Sequence, residues 1–142
     1  SEMIQIYGEE VEGREDGIGG TFGHLISYQL SGSGIASSFS GLCNADVTES
    51  LCFSGLNGTY ETFPTYSFDV FIVAHEMGHL LGSRHTHACV WNGDNTAIDG
   101  CAGFTEGSCR VPGLPVAGTI MSYCSLRVLP PVVFLLGFGD QP

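Results

Sequence analysis

Basic residues are scarce in this 142-residue sequence: 4 Lys and Arg stand against 15 Asp and Glu, for a formal net charge of −11. A chain this acidic repels phosphate backbones and anionic lipids, so we expect neither nucleic acid nor a membrane surface as its partner. The acids that crowd the first sixteen residues predict a solvated edge, with calcium binding as an alternative that lacks EF-hand spacing. These acids are Glu2, Glu9, Glu10, Glu12, Glu15 and Asp16.

A membrane-spanning run and an apolar leader are also lacking. The most apolar stretch, residues 126–138, is short and contains Arg127 and Pro130-Pro131, which excludes a transmembrane helix. The sequence begins with Ser1 and shows no signal segment. We therefore expect that processing removed such a segment or that the sequence is incomplete.

The 6 cysteines form no Cys-x-x-Cys pair, which disfavours a structural zinc cluster. Three disulfides in an oxidising compartment are the better interpretation, and they predict a secreted or extracellular protein. Six cysteines allow about fifteen pairings, among which sequence alone does not choose. Short loop closure favours the pairs Cys43–Cys52, Cys101–Cys109 and Cys89–Cys124.

One run, HEMGHLLGSRH, carries the functional prediction. His75 and His79 are four residues apart, so a helix places both imidazoles on one face, where they can occupy two corners of a zinc tetrahedron. Glu76 flanks that face and can take a proton from a water on the metal. Gly82 can adopt a positive φ, end the helix and return His85 as a third ligand. Three protein ligands leave one position open, as in catalytic zinc sites.

The pattern His-Glu-x-x-His-x-x-Gly-x-x-His resembles the metzincin clan of zinc endopeptidases. Residues 118–123, GTIMSY, resemble the Met-turn of that clan, in which Met121 would form a thioether floor below the zinc ligands. Residues 34–142 resemble the reprolysin-like group, especially its secreted bacterial members. This chain departs from typical reprolysins at Thr86, where they have Asp.

The resemblance implies an α+β zincin fold. We expect a small, twisted, mainly antiparallel or mixed sheet, a buried active-site helix, and a disulfide-rich irregular C-terminal part with the Met-turn. Residues 1–142 would form one metalloprotease domain, with an upper subdomain over 1–82 and a lower one over 83–142. Metzincins also have a first strand and helix and a long C-terminal helix, and neither is readable here. We therefore expect a fragment, a compact variant or one half of something that needs its missing parts to fold.

Alternation of apolar and polar residues predicts three strands. Residues 3–11 favour a half-exposed strand, because Ile4 and Ile6 fall on one side of an extended chain. Further strands are predicted at 22–30 and at about 33–39.

The helix that carries the motif is predicted over about 68–81. The preceding residues, 41–66, are rich in Gly, Asn, Ser and Thr and predict a disulfide-pinned loop. Thr65 or Ser67 can cap the helix, and Asp69 suits its first turn. Because the helix is apolar nearly all round, we expect it to be buried.

Two segments are candidates for substrate binding. By resemblance, the strand at 33–39 forms the upper rim of the cleft and pairs with an extended substrate. An interior strand with small residues is the alternative. The segment after the Met-turn would line the pocket for the residue that follows the scissile bond, and would favour an apolar side chain. The candidates are Gly34, Ile35, Ala36, Ser37, Val128, Leu129 and Val132.

Three further residues allow two interpretations each. Tyr123 matches the tyrosine of astacins and serralysins that reaches the zinc, where it would donate a hydrogen bond to the oxyanion; a packed turn residue is the alternative. The spacing from Gly82 makes His85 the third ligand, so His87 is predicted not to bind the metal. The alternative is that His87 is a ligand or hydrogen-bonds to one. His24 is interpreted as a strand residue with a local hydrogen bond, and a role as a metal ligand is the alternative.

The sequence therefore predicts a secreted, monomeric endopeptidase with one catalytic Zn²⁺. It would hydrolyse peptide bonds of extended polypeptides, with Glu76 activating the attacking water. The alternative is a non-catalytic, zinc-stabilised peptide-binding module derived from a truncated metzincin. A disulfide-rich structural domain without metal is a third interpretation.

Overall fold

The structure, a computed structural model, describes residues 2–13, 20–28, 32–126 and 131–137. The chain divides into two compact units. The first comprises Ser1–Tyr60 and Ser67–Ser83, and the second comprises Glu61–Tyr66 and Arg84–Pro142. The subdomain boundaries expected from the sequence, 1–82 and 83–142, stay a prediction.

The first unit contains a mixed three-stranded sheet, as expected for a small α+β domain. Its strands are β1 (Gly23–Ser27), β2 (Gly34–Ala36) and β3 (Leu51–Gly55), in the order β1-β3-β2. The central strand β3 runs parallel to β1 and antiparallel to β2. Every residue of β3 is buried. The predicted strands at 22–30 and 33–39 are thus present but shorter, and residues 29–31 lie outside the described residues.

The predicted motif helix is confirmed as α2, which spans Phe68–Leu80 and packs on β2 and β3. Ser67 occupies the N-cap position, but its hydroxyl donates to the carbonyl of Thr59 at 2.7 Å instead of capping the helix. At the other end Gly82 has a φ of 99°, and the N–H of Ser83 donates to the carbonyl of Gly78 at 2.9 Å. The helix therefore ends in the sharp glycine turn that the sequence predicts.

The strand predicted over residues 3–11 is wrong: the segment is helix α1, Glu2–Glu12. Its less exposed positions are Ile4, Tyr7, Gly8 and Val11, which recur at helical and not at strand spacing. Ile6, which suggested alternation, is 50% exposed. Helix α1 packs on β3 and on a 3₁₀ turn at Val47–Ser50.

The loop predicted over 41–66 is partly wrong, because it contains the 3₁₀ turn and the central strand β3. The apolar core of that strand is only Leu51, Cys52 and Phe53, each at most 3% exposed. Three apolar residues among Gly, Ser and Asn residues are too few to predict a strand from the sequence. Cooperative pairing with β1 and β2 stabilises it as a strand.

The structure contradicts all three predicted disulfides. The two bonds present are Cys89–Cys109 and Cys101–Cys124, with Cα–Cα distances of 5.7 and 5.0 Å. Loop length did not predict the pairing, because a contact between distant segments decides it. The N–H of Cys89 donates to the carbonyl of Glu106 at 2.9 Å, which brings Cys89 close to Cys109. Two disulfides are consistent with an oxidising, extracellular environment.

Cys43 and Cys52 are free thiols in very different surroundings. Cys43 is exposed, whereas Cys52 is buried in the middle of β3. Burial, reinforced by the nearby carboxyl of Glu76, raises the pKa of Cys52 to about 12. The thiolate is the reactive form of cysteine, so Cys52 is doubly protected.

We expect a thiol-alkylating reagent to label Cys43 alone in the native protein, without any reductant. Cys52 should react only after denaturation, because unfolding exposes it and lowers its pKa towards the ordinary thiol value. Peptide mass mapping before and after denaturation measures both. A bond between Cys43 and Cys52, by contrast, would leave both unlabelled until a reductant is added.

The described part of the second unit has few regular elements and is held by two disulfides and by backbone hydrogen bonds. Thr86 is central to it: its N–H donates to the carbonyl of Met121 at 3.1 Å, and its own carbonyl accepts from Ile98 at 2.7 Å. Thr86 is fully buried. Within the described residues, no helix is long and apolar enough to cross a membrane.

Candidate metal centre

Helix α2 presents two buried imidazoles in the first unit. His75 and His79 are 4% and 5% exposed, and their ring centroids lie 4.8 Å apart in an edge-to-face arrangement. Phe71 flanks His75 at 5.3 Å, and Phe39 flanks His79 at 5.2 Å. The four-residue spacing thus brings two nitrogen donors to one apolar face of one helix.

The glycine turn after α2 fixes the tautomer of His79. Its Nδ1 lies 2.8 Å from the carbonyl oxygen of Ser83. A carbonyl only accepts, so Nδ1 carries the proton and Nε2 keeps its lone pair. This arrangement is common for histidines that bind metals, in which one ring nitrogen is held and the other is offered.

Glu76 is buried beside these histidines and is 4% exposed. Burial raises the pKa of its carboxyl to about 8. A carboxyl with a pKa near neutrality can both accept and return a proton at physiological pH, which suits a general acid–base group. A nearby cation would favour the charged carboxylate instead.

Strand β2 lies directly against the Glu76 side chain. A Cβ atom added at Gly34 would lie 2.6 Å from the carboxyl carbon of Glu76 and 2.7 Å from its Cγ. Real carbon atoms do not approach this closely, so position 34 accepts only glycine unless Glu76 moves. The predicted rim strand and the predicted base are therefore neighbours within the first unit.

His85 belongs to the second unit and is held there by three groups. Its Nδ1 lies 2.6 Å from Oε1 of Glu106, and its carbonyl accepts from the indole N–H of Trp91 at 2.8 Å. The ring of Tyr123 meets it edge-on, with centroids 4.7 Å apart. Glu106 had no signal in the sequence, because it follows His85 by 21 positions in a glycine-rich loop.

Met121 is fully buried in a tight turn of the second unit. The N–H of Ser122 closes that turn on the carbonyl of Thr119 at 3.2 Å. Because Thr86 donates to the carbonyl of Met121, the turn is tied directly to the residue after His85. Its role below a metal stays a prediction.

The remaining candidates are placed as follows. His87 is fully buried, and its Nε2 lies 3.3 Å from Oε1 of Glu106. Burial, with a smaller contribution from the neighbouring His85, lowers the pKa of His87. Nε2 of His24 lies within hydrogen-bonding distance, 2.8 Å, of the hydroxyl oxygen of Ser54, which agrees with the interpretation of His24 as a strand residue with a local hydrogen bond. Val132 is buried and pairs with Gly118. Val128 and Leu129 lie outside the described residues.

The mixed sheet and the helix with two histidines and a glutamate are features of a metallopeptidase domain. A reprolysin family model, described as Metallo-peptidase family M12, matches residues 4–128. The chain therefore belongs to metallopeptidase family M12, and the reprolysin-like resemblance is confirmed. No curated protein and no solved structure matches the chain significantly.

Proposed function

We propose that this protein is a zinc-dependent endopeptidase that hydrolyses extended polypeptides. Membership of a zinc-dependent peptidase family supports it. The observation that carries the proposal is the buried Glu76 on a helix turn with two buried imidazoles, His75 and His79. We assign these histidines and His85 as the zinc ligands, and Glu76 as the general base.

The residues of the first unit fit a zinc ion. Imidazole nitrogens are ordinary zinc ligands, and His79 is held in the tautomer that leaves Nε2 available. His85 follows the last residue of the first unit by two positions and completes the proposed ligand set.

Zinc, when bound, supplies Lewis-acid polarisation of the scissile carbonyl and lowers the pKa of water. Glu76 accepts a proton from the attacking water at its carboxylate and returns it to the leaving amine. Because Glu76 is buried, bulk water does not compete with its carboxylate for that proton. Tyr123, which packs on His85, is the proposed donor to the oxyanion.

We propose that the substrate adds as a strand beside β2. Within the described residues, β2 pairs on one side only, with β3. An extended peptide at that edge would bind mainly through hydrogen bonds between its main chain and that of β2, so recognition would tolerate different peptide sequences. Gly34 would place the peptide next to Glu76. Ile35, Ala36 and Ser37 complete the proposed rim, and Val128 with Leu129 stays a proposed wall for an apolar side chain.

The proposal is tested by zinc analysis and peptide hydrolysis on the purified protein. We expect one zinc per chain and cleavage of a mixed-sequence quenched peptide library, abolished by a chelator and restored by added Zn²⁺. Zinc with peptide binding but no cleavage would favour the non-catalytic module. No zinc would contradict the proposed site, and cleavage that survives complete zinc removal would contradict the proposed chemistry.

A further inference from the structure

Glu106 is fixed beside His85 by its own backbone. Its N–H donates to the carbonyl of His87 at 3.0 Å, and its carbonyl accepts from Cys89 at 2.9 Å. The disulfide Cys89–Cys109 closes the same loop. The Glu106 side chain is not needed for any of these bonds. These bonds use the backbone of Glu106, while Oε1 of its side chain contacts the rings of His85 at 2.6 Å and His87 at 3.3 Å.

His85, His87 and Glu106 have the donor types of a metal site, with ligand atoms within 4.8 Å of one another. Two ligands at about 2.0–2.2 Å from one tetrahedral ion stand roughly 3.3 Å apart. The 2.6 Å between His85 Nδ1 and Glu106 Oε1 is too short for that, and it matches a charge-assisted hydrogen bond. His85 and Glu106 are thus a hydrogen-bonded pair, and Nε2 of His87 lies 3.3 Å from the same carboxylate oxygen.

The bond fixes both the proton and the orientation of His85. A carboxylate only accepts, so Nδ1 of His85 carries the proton and Nε2 presents its lone pair on the opposite side of the ring. The ring of His87 lies nearly parallel to that of His85, at 12° and 4.8 Å, and Tyr123 meets His85 edge-on. These contacts restrict rotation of the imidazole.

We infer that Glu106 is a positioning residue that holds the third zinc ligand, His85, in the tautomer and orientation that zinc requires. This inference rests on the proposed function. Outer carboxylates of this kind raise the basicity of the histidine, and their loss typically weakens metal binding by about 10- to 100-fold. Glu106 acts through His85 and need not touch the substrate.

The test compares Glu106→Ala and Glu106→Gln with wild type, with His85→Ala as a reference and Glu61→Gln as a charge-matched control on an exposed glutamate of the same unit. Zinc affinity is measured by competition with a chromophoric chelator, and the ligand field by the visible spectrum of the Co²⁺-loaded protein. We expect Glu106→Ala to weaken zinc binding by about 10- to 100-fold and to change the spectrum. Glu106→Gln should lose less, because its amide oxygen still accepts from Nδ1.

The outcomes separate the inference from the proposed function. Wild-type zinc affinity and spectrum in Glu106→Ala, with a large loss in His85→Ala, would overturn the role of Glu106 alone. Equal zinc binding by wild type and His85→Ala would overturn the ligand set, and the inference with it. The melting temperature shows whether Glu106→Ala is folded. If that variant is unfolded, the near-isosteric Glu106→Gln is used in its place. A zinc affinity of Glu106→Gln equal to that of wild type and of Glu61→Gln would then contradict the inference.

Discussion

Replacement of Glu76 by Gln is expected to abolish peptide cleavage and to leave zinc bound. The amide has the shape of the carboxyl, so it fits the same buried space against Gly34. It cannot take up the proton of the attacking water, and general-base catalysis is worth about 10²- to 10⁴-fold in rate. We expect kcat to fall by that order. Hydrolysis of a quenched peptide and zinc analysis of the same sample measure the two properties.

The matched control is Glu10→Gln, which removes the same charge from an exposed position of α1. It should cleave like wild type, which separates the role of Glu76 from the effect of net charge. Cleavage by Glu76→Gln at the wild-type rate would contradict the assignment of the base. Loss of zinc from Glu76→Gln would instead show that the residue maintains the site and does not act in chemistry alone.

The motif helix was predictable because its signals are local. The histidines four residues apart, the apolar sequence around them and the glycine that ends the helix all lie within one short segment. The structure has α2 over Phe68–Leu80, against a prediction of about 68–81. The glycine turn at Gly82 also follows from one residue, which adopts a φ of 99°.

The other parts of the site depend on contacts between distant segments. Glu106 reaches His85 only because the loop that carries it pairs with Ala88. Gly34 meets Glu76 only because β2 and α2 pack together. Neither contact has a periodicity that a single sequence displays.

The errors at α1 and in the cysteine pairing have the same origin. In α1, Ile4 and Ile6 suggested a strand, whereas packing selected the face of Ile4, Tyr7 and Val11. Local alternation over three residues fits either structure, and tertiary contacts decide between them. Disulfide pairing likewise follows the folded chain and not loop length, since loop-closure entropy varies only slowly with length.

Gly34→Ala is expected to reduce cleavage strongly without removing zinc or unfolding the protein. The new methyl would occupy the space of the Glu76 side chain, which lies 2.6–2.7 Å from the added carbon. The base must then shift, and a displacement of about 1 Å at a reacting group can cost roughly 10²-fold in rate. Peptide hydrolysis, zinc content and melting temperature are measured together. Gly113→Ala is the control, because a Cβ there meets nothing within 4 Å.

A double variant tests whether the effect of Gly34→Ala acts through Glu76. Asp at position 76 is one methylene shorter, so it draws the carboxyl away from the space that the new methyl fills. Glu76→Asp alone should lower activity because the base retreats from the water. In that background, Gly34→Ala should cost much less than in wild type, since contacting residues are not additive. If the two losses simply multiply, the glycine acts on the strand edge where we place the substrate, and the close contact with Glu76 does not account for its effect.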